Sequence, residues 1–216
     1  MTFKDRVDAG QQLAERLIAF KGEPNLILLG IPRGGVVVAA EIARALDAPL
    51  DVLIAHKIGA PGNPEFAIGA VTSTGEVWLD DATITELKIN SDEITLEVEK
   101  WREVLAQRAG LFRPGRAPLN VKEKMVVVVD DGIATGSTVF AAVRALRQQP
   151  PAQLILAVPV GPPDTIAQLR SECDSVIALL MPVPFFAVSR FYRYFEQTQD
   201  DEVITLLREA ERRMGK

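Results

Sequence analysis

With 216 residues, 48% of them hydrophobic and 25% charged, and a net charge of −5, the chain can bury one full core and fits a single domain, residues 1–216, with an elaboration. The acidic balance argues against a nucleic-acid partner, and no cationic apolar leader or apolar run near about 18 residues is present, so no membrane segment is expected and the cytoplasm is the expected compartment. Cys173 and His56 are each alone of their kind, which excludes an internal disulfide and any multi-cysteine or multi-histidine metal site, and both read as structural.

In chain order, a first helix is expected from about Lys4 to Phe20 behind the cap Thr2, because Phe3, Val7, Gly10, Ala14 and Leu17 recur along one side. The apolar run Leu26–Gly30 predicts a strand that leads through PRGG into a helix near Val36–Leu46. A second strand, Asp51–Ala55, is expected to continue into His56 and Lys57. A long excursion follows, roughly residues 59–124. AIGAVTSTGEVWL predicts a hairpin around Ser73–Gly75, and Ile94, Val98, Trp101 and Leu105 share one stripe of a helix in which Trp101 reads as packing. FRPGRAP, residues 112–118, ends that helix.

The alternation then resumes. In the strand expected at Met125–Val129, Val126–Val129 is a β-branched run without alternation, as in a parallel strand buried on both faces, and a helix opens near Gly136. Strands at Leu154–Val158 and Val176–Leu180 bracket a helix near Thr165–Ser171. A final helix after the cap Asp200 presents Val203, Leu206, Leu207 and Ala210 for packing. Five apolar strands interleaved with helices imply an α/β fold with a doubly wound, mainly parallel five-stranded sheet.

The chemistry concentrates in VVVVDDGIATGSTV, residues 126–139. A glycine-rich turn before a helix aims unpaired backbone N–H groups and the positive end of the helix dipole at one point, which suits a phosphate. Thr135, Ser137 and Thr138 add hydroxyl donors there, while Gly132 and Gly136 allow the turn and a close approach. Asp130 and Asp131 would repel phosphate, so they either accept hydrogen bonds from neighbouring sugar hydroxyls or help hold a divalent cation. Polyol beside phosphate describes a sugar phosphate. GIPRGG, residues 30–35, is a second turn between a strand and a helix, in which Arg33 adds a fork of donors to the N–H groups of Gly34 and Gly35. The chain has no GxxxxGKS or GxxxxGKT run and no GxGxxG after a strand.

The run VVVVDDGIATGSTV resembles the phosphoribosyl-pyrophosphate signature of type I phosphoribosyltransferases: hydrophobic strand, two acids, short loop, Thr-Gly-x-Thr. The resemblance implies phosphoribosyl pyrophosphate as donor. Its 5′-phosphate would lie on Gly132, Ala134, Thr135, Gly136, Ser137 and Thr138, its ribose beside Asp130 and Asp131, and its pyrophosphate on Arg33, Gly34, Gly35 and Lys57. Asp130, Asp131, Arg33 and Lys57 are the implied catalytic set, with Mg2+ near Asp130 and Asp131, directly or through water. The implied reaction moves the phosphoribosyl group to a small nitrogenous acceptor, usually a base nitrogen in the family and here either a purine-like base or another, and releases pyrophosphate. The family also carries a mobile loop where the excursion lies, so Arg113 and Arg116 either close over the pyrophosphate or merely solvate a turn, and it suggests a homodimer.

Where the family's 6-oxopurine enzymes place an acid in the loop, this chain has Ala134, as adenine enzymes can, so an acid/base group would come from elsewhere, with Glu65 a candidate. The segment from about 181 to 199 gathers Phe185, Phe186, Phe191, Tyr192, Tyr194 and Phe195. It suits either a hood, with Phe185, Phe186 and Tyr192 stacking on a base, or a hydrophobic plug or dimer contact. Two other readings stay open: a sensor of phosphoribosyl pyrophosphate or nucleotide without turnover, and a metal-dependent phosphate-ester hydrolase using Asp130.

Overall fold

The computed structural model describes residues 2–215, apart from the side chains of Pro64 and Glu65; the candidate Glu65 therefore lies outside what is described. Five parallel strands form the main sheet: β1 (Leu26–Gly30), β2 (Leu50–Val52), β6 (Met125–Val129), β7 (Gln153–Val160) and β8 (Ser175–Leu180), in the order β2-β1-β6-β7-β8. Within β1, β6 and β7 almost every residue is buried, as continuous Val, Ile and Leu runs require when helices cover both faces.

Alternate residues feed two cores. Leu26 and Leu28 of β1 and Val127 and Val129 of β6 pack with α1 (Arg6–Leu17), α2 (Gly34–Leu46) and α7 (Asp200–Met214). Ile27, Leu29, Val126 and Val128 face the opposite side, where α5 (Ser137–Leu146) and α6 (Pro163–Leu169) lie. This is the expected doubly wound sheet. The chain turns one way from β1 to β2 and the other from β6 to β8, so the strand order reverses between β1 and β6. Gly30 pairs with Val129 at that boundary, which starts the two following loops side by side.

The second sheet contains the hairpin expected around Ser73–Gly75 and adds a third strand to it. β3 (Ala55–Ala60), β4 (Asn63–Thr72) and β5 (Val77–Leu79) form an antiparallel hairpin sheet of their own. The expected strand through Asp51–Ala55 and on to Lys57 is divided: β2 ends at Val52, and His56 and Lys57 belong to β3. One face of the hairpin sheet sets Ala70 and Trp78 against Ala141 and Ala145 of α5. Ile58, Ile68 and Val71 join Ile94, Val98 and Leu105 of α4 (Ser91–Phe112) in the larger core. Between them, β5 is followed by the short α3 (Asp81–Glu86).

The first helix also differs from expectation. It begins at Arg6 with Asp5 as its cap, the Asp5 carboxylate accepting from the Asp8 N–H. Phe3 lies outside the helix, buried in an isolated parallel bridge with Tyr192. A real side-chain cap outcompetes helical spacing, because Asp5 satisfies a donor that the helix interior would leave open.

Candidate phosphate and sugar site

The loops after β1 and β6 touch. A Cβ added to Gly35 would stand 2.7 Å from the Val129 carbonyl oxygen and 2.9 Å from Asp130 Cα, and one on Gly34 would overlap the Asp131 carboxylate. The pair of glycines in PRGG is therefore what lets the two loops meet. The Ile31 N–H donates to the Val129 carbonyl at 2.8 Å and fixes the crossing point. The peptide bond between Pro32 and Arg33 is cis. Arg33 caps α2, with Nη1 3.6 Å from Asp200 Oδ1 at the start of α7.

The second loop ends on Gly136, whose φ of +77° provides the left-handed turn into α5. The cap residue Gly136 has no side chain to offer, so among the described residues no capping oxygen from it claims the first N–H groups of the helix. Thr135, Ser137 and Thr138 are exposed around it, and Thr135 Oγ1 lies 3.2 Å from Ser137 Oγ. Ala134 is exposed too, and its carbonyl accepts from the Thr165 hydroxyl at 3.3 Å. Gly132, at φ +153°, is packed against Val188 and Val160. The result is an open ring of donors with its backbone held from behind.

The two acids are not equivalent. Asp130 Oδ1 accepts from the Asp131 N–H at 2.8 Å, and burial followed by the neighbouring Asp131 charge pushes its carboxyl well above the ordinary range. Asp131 is also raised by burial, but the Arg6 guanidinium opposes the rise: Arg6 Nε stands 2.6 Å from Asp131 Oδ2. Arg6 Nη1 donates to the Glu196 carbonyl at 2.7 Å, and the guanidinium lies 3.9 Å from the Phe195 ring centre. The Tyr192 hydroxyl donates to the Asp131 carbonyl at 2.6 Å.

Lys57 is not at the tip of a core strand. From β3 it lines, with Ser137, Trp78, Phe140 and Arg144, a cavity of about 420 Å³ that adjoins the turn into α5. Arg113 and Arg116 are no free lid arms. Arg113 is buried, pairs with Asp51 at 2.6 Å and donates to the Val52 carbonyl, while Arg116 reaches Asp51 and Glu211, each at 3.6 Å. They anchor the end of the excursion to β2 and α7. Of the aromatics, Tyr192 is buried and committed to Asp131, so it offers no face for stacking; Phe185 packs on Phe191 at 5.5 Å. Phe186 is exposed, with the Arg190 guanidinium 4.9 Å above its ring. Trp101 packs as expected, stacked 3.3 Å from His56.

Sequence reasoning did not single out Arg6, which lies 125 residues from its partner, and it read Tyr192 only as an aromatic. Among the described residues no three or more His, Cys, Asp or Glu side chains gather as a metal-holding group, and no helix is long and apolar enough to cross a membrane.

Two glycine turns and an acid pair thus meet at the switch point of an open parallel sheet, the place where open α/β domains bind their ligands. The chain belongs to the phosphoribosyl transferase domain family, whose model matches residues 3–190. A Mycobacterium tuberculosis protein named, provisionally, as a phosphoribosyl transferase is 43% identical over 210 residues, covering 97% of this chain and 47% of that protein. The chain thus spans about half the length of this curated relative. The crystal structure of TT1426 from Thermus thermophilus shares the fold at a TM-score of 0.87 and 40% identity, covering 97% of this chain and 99% of that one. A more distant match is the Bifunctional protein PyrR of Bacillus mycoides, 28% identical over 139 residues, covering 64% of this chain and 59% of that protein.

Proposed function

We propose that this protein is a magnesium-dependent phosphoribosyltransferase that moves the phosphoribosyl group of phosphoribosyl pyrophosphate to a small nitrogenous acceptor of purine-like class. The observation that carries the reading is the meeting of the two glycine turns around Asp130 and Asp131, with family membership behind it. The 5′-phosphate rests at the N-terminus of α5, on the N–H groups and hydroxyls from Thr135 to Thr138. The ribose hydroxyls donate to the acid pair. The pyrophosphate sits at the turn of Arg33, Gly34 and Gly35, and Lys57 supplies a cation from the phosphate side rather than from a core-strand tip.

Displacement breaks the bond from C1′ to the pyrophosphate oxygen, whose electron pair leaves with the pyrophosphate, and forms a bond from C1′ to the acceptor nitrogen, whose proton passes to solvent water. Charge builds on the leaving group as the ribose becomes cationic. Arg33 and the N–H groups around it stabilise the first, and the carboxylates beside the ribose tolerate the second. Positioning supplies the rest, and no covalent nucleophile is required.

Hard carboxylate oxygens at Asp130 and Asp131 fit a magnesium ion, which keeps several waters and takes one or two carboxylates together with substrate phosphates. Asp131 already accepts from Arg6, so Asp130 is the principal group on the metal side. The ion would neutralise pyrophosphate charge. A homodimer and cytoplasmic residence complete the proposal.

Titration calorimetry with phosphoribosyl pyrophosphate and magnesium is the first test, followed by pyrophosphate release across a panel of nitrogenous acceptors. Absence of donor binding defeats the proposal. Binding without release from any acceptor replaces it with a sensor that keeps the cradle and lacks turnover.

A further inference from the structure

We propose that Arg6 is a positioning residue for the sugar-phosphate donor, fixing the Asp131 carboxylate in the orientation that receives the ribose and binding the segment around Glu196 to the same point. The inference rests on the transferase reading above and adds to it a residue outside both glycine turns.

Arg6 stands where three remote pieces of chain converge. Its Nε is 2.6 Å from Asp131 Oδ2, and a Cβ on Gly34 would stand 2.6 Å from that same nitrogen, so the side chain fills the seam between the turn after β1 and the acid pair. Its Nη1 takes the Glu196 carbonyl at 2.7 Å, and its flat face lies on Phe195. The side chains of Arg6 and Asp131 are only 12% and 17% exposed, so the pair is largely shielded from screening water.

A guanidinium is suited to this seam because its donors are held in one rigid plane: one edge can serve a carboxylate while another serves a carbonyl and the face stacks on a ring. An ammonium presents a compact charge on a flexible stem and has no planar face. Two further contacts keep the aimed loop still, the Tyr192 hydroxyl on the Asp131 carbonyl and the Ile133 N–H on the Val160 carbonyl at 2.8 Å. With its backbone fixed and one carboxylate oxygen tied to Arg6, Asp131 presents its other oxygen in a single direction. A ribose hydroxyl then meets an acceptor that need not reorganise on binding, and the lost cost appears as affinity.

Donor affinity and acceptor kinetics of Arg6→Lys and Arg6→Ala, beside the wild type, test this. Asp51→Asn serves as the control, because it loosens a buried ion pair whose partners are Arg113, Arg116 and Leu119 rather than either glycine turn. The expected result is donor binding weakened about tenfold in Arg6→Lys and about a hundredfold in Arg6→Ala, as loss of charge-assisted hydrogen bonds predicts. KM for the donor should rise while KM for the acceptor stays unchanged, and Asp51→Asn should lower melting temperature without weakening donor binding. Wild-type affinity in folded Arg6→Lys overturns the inference, as does a loss in Asp51→Asn equal to that in Arg6→Lys, which would reduce Arg6 to a structural clasp. If the wild type itself fails to bind the donor, the transferase reading falls and takes this inference with it; binding by the wild type with no effect of Arg6 removes this inference alone.

Discussion

Asp51 Oδ1 and Arg113 Nε meet at 2.6 Å with both side chains almost fully enclosed, and Asp51 Oδ2 also accepts the Leu119 N–H at 3.1 Å. A carboxylate on the edge strand of the main sheet thus receives the chain as it returns from the hairpin sheet and α4. Replacing Asp51 by Ala leaves a buried guanidinium without its partner. Such a loss costs about 3–5 kcal/mol, because the remaining charge keeps its desolvation penalty. Urea unfolding should show the midpoint falling accordingly, and an unchanged midpoint would mean that the pair contributes nothing net.

Gly35→Ala should separate the two turns. The new methyl group would press on backbone at the end of β6, which has less freedom to yield than a side-chain tip. Overpacking of this kind costs about 1–3 kcal/mol, and the displaced acid pair should also weaken binding of phosphoribosyl pyrophosphate. Calorimetric donor affinity like that of the wild type would show that the loops need not touch.

The layered sheet was legible because Val126–Val129 and Leu26–Leu29 are apolar without alternation and each runs into a glycine turn. The turn into α5 was legible for a related reason: its hydroxyls, glycines and acids are contiguous in the sequence. The break between β2 and β3 was not, since Val52 to Ala55 is one apolar stretch across it, and nothing local marks where the chain leaves one sheet for another. Arg113 was misread because Pro114 and Gly115 beside it are the residues of an exposed turn, while the acid that buries it is 62 positions away. Arg6 carried no signal at all, being one charge in the first turn of an amphipathic helix.

His56 should give stability an acid limb. Burial lowers its pKa from the ordinary 6.5, Lys57 and Lys100 push the same way, and Glu97 opposes them. The unfolded chain therefore binds a proton at His56 before the folded one does, so this contribution is complete above 6.5 and is lost as pH falls from there through the lower folded value. Melting temperatures across that range should slope more gently in His56→Gln than in the wild type; identical slopes would assign the dependence to other groups.

Cys173 should be chemically silent in the folded protein. Burial pushes its thiol up to about 12, so almost no thiolate exists in mildly alkaline buffer. A chromogenic disulfide reagent at mildly alkaline pH should find no reactive thiol until denaturant is added. Rapid labelling of native protein would contradict this placement.

The junction of Phe3 and Lys4 with residues 191–194 also sets an order of events during synthesis. The Phe3 N–H donates to the Phe191 carbonyl, and the Arg193 and Tyr194 N–H groups donate to the carbonyls of Phe3 and Lys4. A nascent chain that has delivered β1 through β8 to the outside of the ribosome already possesses both glycine turns, yet Asp131 still lacks the Tyr192 hydroxyl and Arg6 lacks the Glu196 carbonyl. The contacts that hold Asp131 and Arg6 are therefore completed late, when the segment beyond residue 190 emerges and folds back on residues made nearly two hundred positions earlier.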